Sequence, residues 1–202
     1  MNKILILFAH PRFEQSRINR ALVDHVPSED GITFHDLYEH YTDFNIDVER
    51  EKQLLRDHDI IVWQHPMYWY SAPPLMKQWI DTVLEFKWAY GPGGDALTGK
   101  YVFNVFTSGG PKDAYSATGR NRYSVAEFFR PFEQTARLCK MHYLPAYGQQ
   151  GSHLLSFDDL MHAGADYGRL LHELLHFPLN AEAFANFASM NDWLEHQKTV
   201  QS

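Results

Sequence analysis

Residues 60–76, IIVWQHPMYWYSAPPLM, pass from a buried strand into an aromatic loop and then into a helix. The apolar run at 60–63 predicts a strand at 60–64, and we expect Pro66 to stop it because proline cannot donate to a sheet ladder. The prolines at 73–74 then open a helix, since proline suits the first helical turn. Three consecutive rings at 68–70 cannot all enter the core. We interpret them as a wall for a flat ligand, with a hydrophobic plug or a dimer contact as the alternatives.

Two further apolar strands end in polar or glycine-bearing loops. Residues 3–9 run into His10, and residues 101–107 run into the segment SGGP at 108–111. In a doubly wound parallel sheet, ligands bind outside the carboxyl ends of the strands, where the winding reverses. The flavodoxin-like strand order 2-1-3-4-5 places these strand ends beside the end of the strand at 60–64. The sequence therefore predicts one ligand site that is shared by three loops.

The alternation of strands and helices predicts an α/β fold, a three-layer sandwich with a five-stranded parallel sheet and helices on both faces. Among such folds, the flavodoxin-like one has the strand order 2-1-3-4-5. The predicted strands are 3–9, 32–36, 60–64, 101–107 and 142–146, and the predicted helices are 17–26, 48–57, 73–84, 124–138 and 157–176. We assign residues 1–180 to this domain and residues 181–202 to a C-terminal helical extension of it. The helix predicted at 181–197 packs on its own domain or forms an arm between subunits.

Composition restricts the classes of partner. The 202-residue chain has a formal net charge of −7 and a single cysteine, Cys139. An acidic chain without a basic patch predicts that no nucleic acid is bound. No apolar run approaches the roughly 20 residues that span a bilayer, and the run at 4–8 is too short for a signal peptide. These features predict a cytoplasmic protein.

The loop after the first strand is a candidate phosphate site. Ser16 is a good N-cap for the following helix, whose first N–H groups and positive dipole end attract anions. His10, Ser16 and Asn19 add side-chain donors. The alternative is that Ser16 only caps the helix and His10 only bonds a carbonyl group.

His172, Glu173 and His176 form a literal H-E-x-x-H sequence, which on a helix is typical of zinc hydrolases. Glu195 is a conceivable third ligand. However, a chain with 12 histidines produces such a match by chance in roughly one case in 25. In addition, adjacent leucines occupy the face of that helix that is predicted to pack against the core. We therefore predict no metal site and keep a zinc hydrolase only as the third interpretation.

An ordered set of segments resembles the NAD(P)H:quinone oxidoreductase family. Within that family it is most similar to the bacterial ancillary oxidoreductases of glutathione-gated potassium efflux antiporters. The resemblance covers about residues 3–175 and is carried by FAHP at 8–11, Ser16, Asn19, QHPMYWYS at 64–71, PPL at 73–75, Trp79, Asp81, 91–99, TSGG at 107–110, DFNID at 43–47, NRY at 121–123 and RPFE at 130–133.

The resemblance implies a flavodoxin-like, flavin-binding domain, a homodimer, and ping-pong reduction of quinones by NAD(P)H as co-substrate. FMN is favoured over FAD because the first loop is short and nothing obvious binds an adenosine half. The resemblance assigns the phosphate end of the flavin to His10, Ser16, Arg17, Ile18 and Asn19. It assigns the ring to Pro66, Met67, Tyr68, Trp69, Tyr70, Ser71, Thr107, Ser108, Gly109, Gly110 and Pro111.

The resemblance also implies two catalytic positions in the loop at 108–123, a tyrosine and a histidine that assist flavin reduction. Tyr115 matches the tyrosine, whereas Asn121 occupies the histidine position. An amide does not titrate near neutral pH, so His142 or a water would have to replace that histidine in moving a proton.

Two functional interpretations remain, and they are compatible. The first is an active flavin-dependent quinone reductase. The second is a regulatory ancillary subunit of a glutathione-gated potassium efflux antiporter with secondary catalysis, which would place the protein at the inner face of the cell membrane.

Overall fold

The computed structural model describes residues 1–200. Its six strands are β1 (Ile4–Phe8), β2 (Ile32–Asp36), β3 (Ile60–Pro66), β4 (Tyr101–Thr107), β5 (His142–Tyr143) and β6 (Tyr147–Gln149). They run parallel in one sheet, in the order β2-β1-β3-β4, and the two short strands β5 and β6 both pair with β4. The predicted fold class and strand order are confirmed.

In the described part of the chain, eight α-helices connect and cover these strands. They are α1 (Arg17–Asp24), α2 (Leu37–His40), α3 (Val48–Asp57), α4 (Pro74–Val83), α5 (Val125–Phe128), α6 (Arg130–Leu138), α7 (Phe157–His176) and α8 (Met190–Val200). Short 3-10 turns lie at Phe13–Gln15, Lys112–Ala114 and Ala181–Ala183. Among residues 1–200, no helix combines the length and the apolar character that a membrane span requires.

The core lies on both faces of the sheet because successive side chains of a strand point to opposite faces. Ile4, Ile6 and Val62 belong to the cluster that includes the leucines of α7. Leu5 and Trp63 belong to the opposite cluster, which includes the apolar residues of α4. Three layers result, as the alternation of strands and helices predicts.

The register brings the strand ends to one edge. Phe8, the last residue of β1, lies opposite Gln64 of β3, and Pro66 at the end of β3 lies opposite Thr107 at the end of β4. The loops that follow β1, β3 and β4 therefore leave the sheet at the same edge, which we call the carboxyl edge.

Several predicted elements have different bounds in the structure; the three largest differences are in the fifth strand and two helices, and prolines explain two of these. Pro145 interrupts the fifth strand, because it has no N–H for the ladder, so that β5 and β6 are separate pieces. Pro131 prevents one helix from running through 124–138, and α6 begins beside it at Arg130. The helix predicted at 181–197 starts only at Met190. The short α2, which Asp36 caps, escaped the sequence analysis.

The C-terminal extension is described as far as Val200, and residues 201–202 of the predicted extension lie outside the described residues. Phe184, Met190, Trp193 and Leu194 are buried in the same core cluster as the leucines of α7. The bulky side chains of the extension thus complete the core of this domain.

Candidate functional site

A cavity of about 400 Å³ opens at the carboxyl edge of the sheet. The loops after β1, β3, β4 and β6 each contribute to its wall. Its lining residues are His10, Arg12, Gln15, Ser16, Arg17, Ile18, Pro66, Met67, Tyr68, Thr107, Ser108, Gly109, Ser152 and His153. Small-molecule sites typically measure about 300–1,000 Å³, so the cavity is large enough for a cofactor.

Ten of the predicted cofactor-binding residues line this cavity. Asn19, Trp69, Tyr70, Ser71, Gly110 and Pro111 do not, and the sequence analysis missed Arg12, Gln15, Ser152 and His153. The described residues of the wall include two arginines and two histidines but no aspartate or glutamate. In a chain with a net charge of −7, this local excess of donors favours an anionic ligand.

The amino end of α1 forms one wall. The hydroxyl of Ser16 accepts bonds from the backbone N–H of Asn19 at 3.3 Å and from its Nδ2 at 2.9 Å. The amino ends of helices leave N–H groups without helical partners, and here the lining residues Arg17 and Ile18 occupy the first turn. The helix therefore presents the phosphate-binding geometry that the sequence predicts.

Asn19 lies behind this wall rather than in it. Its Nδ2 also donates to the Thr107 hydroxyl at 2.9 Å, which joins α1 to the end of β4. Its Oδ1 is buried and has no donor in the described protein. An unsatisfied acceptor beside an anion-favouring cavity fits a ligand that carries hydroxyl groups as well as a phosphate, because such a ligand supplies the missing donor.

His10 is 7% exposed at the base of the cavity. Its Nδ1 accepts the backbone N–H of Arg12 at 3.1 Å, which leaves the proton on Nε2. Burial lowers the pKa of His10, although the nearby Glu14 carboxylate opposes the shift. The ring is therefore a neutral donor near pH 7.

The aromatic loop is a tight turn with a strained backbone. Tyr68 and Ser71 exchange two backbone hydrogen bonds, at 3.1 and 3.0 Å. The residues between them, Trp69 and Tyr70, have φ of +48° and +63°, a region that costs of order 1–3 kcal/mol for residues other than glycine. Of the three consecutive rings, only Tyr68 lines the cavity. Trp69 is 92% exposed, and Tyr70 stacks on Phe128 at 4.7 Å.

A buried histidine supports this loop from below. His65 donates from Nδ1 to the Pro66 carbonyl at 3.0 Å, and its Nε2 accepts from Asn104 at 2.9 Å. The Tyr143 hydroxyl donates to Asn104 Oδ1 at 2.6 Å. Complete burial lowers the pKa of His65 to about 4, so the ring stays neutral and keeps this chain of bonds intact near pH 7.

The loop after β4 approaches the segment that follows β6. A Cβ atom on Gly109 would lie 2.8 Å from Nε2 of His153, so a larger residue at this position would push the exposed His153 ring aside. Ser152 donates its backbone N–H to the Ser108 carbonyl at 3.0 Å. His153 is exposed and lines both the cavity and an adjoining groove of about 620 Å³. It is therefore a titratable group at the point where the two spaces meet.

Comparison with known proteins agrees with this geometry. The profile of the flavodoxin-like fold matches residues 2–171. The chain belongs to the flavodoxin-like family. The glutathione-regulated potassium-efflux system ancillary protein KefG of Pectobacterium atrosepticum is 52% identical over 142 residues, which are 70% of this chain and 78% of that protein.

Two solved structures are also similar to this flavodoxin-like protein. General stress protein 14 of Treponema denticola, solved in complex with FMN, has a TM-score of 0.81 and 40% identity over 85% of this chain and 99% of that chain. The NADPH-quinone reductase of P. pentosaceus has a TM-score of 0.77 and 31% identity over 88% of this chain and 99% of that chain. The resemblance inferred from the sequence is therefore confirmed for the family.

The two predicted catalytic residues lie beside the site. Tyr115 packs edge-on against Phe128 at 6.2 Å, and its ring lies 3.1 Å from the position that a Cβ on Gly110 would take. Asn121 Oδ1 accepts the hydroxyl of Tyr70 at 3.4 Å. This hydrogen bond ties the loop at 108–123 to the aromatic loop. Asn121 thus contacts Tyr70 of the aromatic loop.

His142 cannot take the place of the missing family histidine. It pairs with Tyr101 at the start of β4, and a strand as long as β4 (Tyr101–Thr107) extends about 20 Å. His142 is therefore at the opposite edge of the sheet from the cavity. The imidazole that borders the cavity beside the loop after β4 is that of His153.

The third predicted interpretation, a zinc hydrolase, lacks the expected arrangement. Glu195 accepts from Lys198 at 2.6 Å and is not the third member of the histidine cluster. Glu173 pairs with Arg169 at 3.7 Å, one turn back along α7. The carboxylate that does meet His172 and His176 is Glu29.

Proposed function

We propose that this protein is a flavin-dependent NAD(P)H:quinone oxidoreductase that binds FMN in the cavity at the carboxyl edge. The observation that carries the proposal is a cavity whose described lining residues include two arginines, two histidines and the amino end of a helix but no carboxylate. The FMN bound to general stress protein 14 and the name of the NADPH-quinone reductase support the flavin and the reaction. NAD(P)H as co-substrate and a two-electron, ping-pong course belong to the same proposal.

The phosphate of FMN would lie at the amino end of α1. There the first-turn N–H groups, the side chain of Arg17 and the neutral donor His10 are available, and Ser16 fixes the start of the helix. Asn19 Oδ1 would accept a hydroxyl of the ribityl chain. FMN is favoured over FAD because the loop after β1 is short, and because FMN is the flavin bound to general stress protein 14.

The flavin ring would extend past Tyr68 and Gly109 toward the adjoining groove, which shares Gly109 and His153 with the cavity. A bound flavin would supply the hydride-accepting and two-electron chemistry by which NAD(P)H and a proton reduce a quinone to its quinol. Tyr115 and Asn121 remain the proposed catalytic residues of the loop at 108–123. We add His153, because its imidazole can hold or release a proton at the edge of the ring site.

We propose a second role as an ancillary protein of a potassium-efflux system. The 52% identity to KefG favours it, because the name of that protein states this function. The exposed Trp69, held on a strained turn, is a suitable contact for a partner or for the second copy in a homodimer. A cytoplasmic protein that associates with the inner face of the membrane would serve both roles.

Absorbance of the purified protein tests the cofactor. Bands at about 370 and 450 nm are expected for a bound flavin, and mass spectrometry of the released compound distinguishes FMN from FAD. Oxidation of NADPH that requires both protein and quinone then tests the reaction. Protein that neither contains nor binds flavin would refute the first role, whereas co-purification with a potassium-efflux antiporter tests the second role separately.

A further inference from the structure

Glu29, His172 and His176 form a cluster at the edge of the sheet opposite the cavity at the carboxyl edge. Glu29 precedes β2, whose first residue, Ile32, pairs with Ile4 at the start of β1. The two histidines lie one turn apart in the last two turns of α7. The cluster therefore joins two segments that are far apart in the sequence, at the amino ends of the strands.

The distances within the cluster suit a small cation. Glu29 Oε1 and Oε2 lie 2.9 and 3.3 Å from His172 Nδ1, and Oε2 lies 3.9 Å from His176 Nε2. Metal–ligand bonds of about 2.0–2.1 Å in a tetrahedral zinc site place the ligand atoms roughly 3.3 Å apart. The observed distances lie on both sides of that value, so small side-chain rotations would complete the coordination.

The chemistry and exposure of the cluster are also suitable. Two imidazoles and a carboxylate form a ligand set that first-row transition metals accept. The side chains of His172, His176 and Glu29 are 54%, 52% and 35% exposed, which gives an ion access from solvent and leaves room for water as a further ligand. The sequence alone attributes the spacing of the two histidines to chance. It gives no sign of a third ligand because no local pattern links Glu29 to α7.

We propose that Glu29, His172 and His176 bind one divalent transition-metal ion, Zn²⁺ or a substitute such as Co²⁺. The ion would cross-link the segment before β2 to the end of α7 and so stabilise the fold. The site is structural in this proposal, because the carboxylate of Glu173, which a hydrolase would use as a base, pairs with Arg169. The proposal is independent of the flavin chemistry at the carboxyl edge.

Titration of the untagged, full-length protein with Co²⁺ tests the proposal, because bound Co²⁺ reports its coordination by visible absorption. We expect one ion per chain and an affinity that falls about tenfold or more in Glu29→Gln and in His172→Ala. His162→Ala is the matched control, because His162 is an exposed histidine of the same helix, and its titration should equal that of the unmodified protein.

Thermal unfolding gives a second readout. A hundredfold excess of Zn²⁺ over its dissociation constant should raise the Tm by roughly 5 °C or more in the unmodified protein and in His162→Ala, but not in Glu29→Gln. Flavin content should be equal in all variants, which separates this result from a failure of the proposed function. A titration without saturation, or equal affinity in Glu29→Gln and the unmodified protein, would show a simple ion pair between Glu29 and His172 and overturn the proposal.

Discussion

Two groups of buried polar atoms, one around Glu51 and one around the cavity at the carboxyl edge, differ in how completely the protein satisfies them. Glu51 is fully buried in α3 and accepts hydrogen bonds from His35 at 2.8 Å, Trp79 at 2.7 Å and the hydroxyl of Tyr41. Asn19, beside the cavity, has a buried Oδ1 without a donor in the described protein. The protein itself supplies the donors for Glu51, whereas the acceptor beside the cavity has no donor among the described residues.

This difference distinguishes a polar group that stabilises the fold from one that is suited to bind a ligand. Burial by itself would raise the pKa of Glu51, but bonds from His35, Tyr41 and Trp79 lower it below its ordinary value. The carboxylate is thus charged, and its partners come from β2, the segment after α2, and α4. The three hydrogen bonds to Glu51 therefore hold β2, the segment after α2, and α4 against α3. At the cavity, in contrast, donors from four loops face a common space that the protein itself leaves unfilled.

The largest effect is expected when the hydrogen bonds to Glu51 are disrupted. Glu51→Gln should lower the free energy of unfolding by about 3 kcal/mol at pH 7, because a neutral amide cannot satisfy three buried donors. Urea unfolding measures this loss. Glu49→Gln is the matched control on the same helix, since Glu49 is 75% exposed and has a single ion pair with Lys52. Its effect should stay within about 0.5 kcal/mol.

The same variant carries a pH signature. The folded pKa of Glu51 is depressed, so its stabilising contribution is complete above the unfolded pKa of about 4.3 and is lost as the pH falls through the folded pKa. The stability difference between Glu51→Gln and the unmodified protein should therefore be constant from pH 7 to about pH 5 and shrink below pH 4. A difference that does not change with pH would contradict a charged Glu51.

A smaller loss, of FMN affinity rather than of stability, is expected when a negative charge is added at the cavity. Ser16→Asp should weaken FMN binding roughly a hundredfold, because it places a carboxylate beside the phosphate. Ser16→Asn keeps a helix cap of similar size without the charge, and it should retain FMN within a few-fold. Fluorescence titration with FMN measures both, and equal affinities of the two variants would refute the phosphate site.

His153 should affect the reaction more than the affinity. His153→Gln removes the imidazole at the junction of the cavity and the groove. The rate of quinone-dependent turnover should fall about thirtyfold, somewhat less than the roughly hundredfold or more that is typical of general acid–base catalysis. FMN binding should change little. His142→Gln, at the opposite edge of the sheet, is the control. If both variants turn over at the same rate, His153 takes no part in proton transfer.

The smallest effect is expected at Tyr115. Tyr115→Phe should slow the reduction of bound FMN by NADPH about tenfold, which corresponds to roughly 1.4 kcal/mol of transition-state stabilisation. Stopped-flow absorbance measures this rate. Because the ring that packs against Phe128 is retained, stability should be unchanged. A rate equal to that of the unmodified protein would remove Tyr115 from the chemistry.

Much of the fold could be predicted because its signals are local. Apolar runs mark the strands, and Asp47 and Ser16 mark helix starts that the structure contains as caps. The fifth strand was predicted as one piece, although Pro145 splits it. Three loops of the cavity follow from the rule for parallel sheets, but the fourth, with His153, was missed because β6 has only three residues and a weak pattern.

The order of strands and helices, the loops at the carboxyl edge and the family follow from the sequence, because hydrophobic period, proline and glycine act within a few residues. The pairs of distant side chains that meet become visible only once the helices are packed on the sheet. Glu29 reaches His172 across 143 positions, Gly109 admits His153, and Glu51 collects its three donors from separate elements. These contacts depend on how whole helices pack on the sheet, and no local pattern encodes that packing.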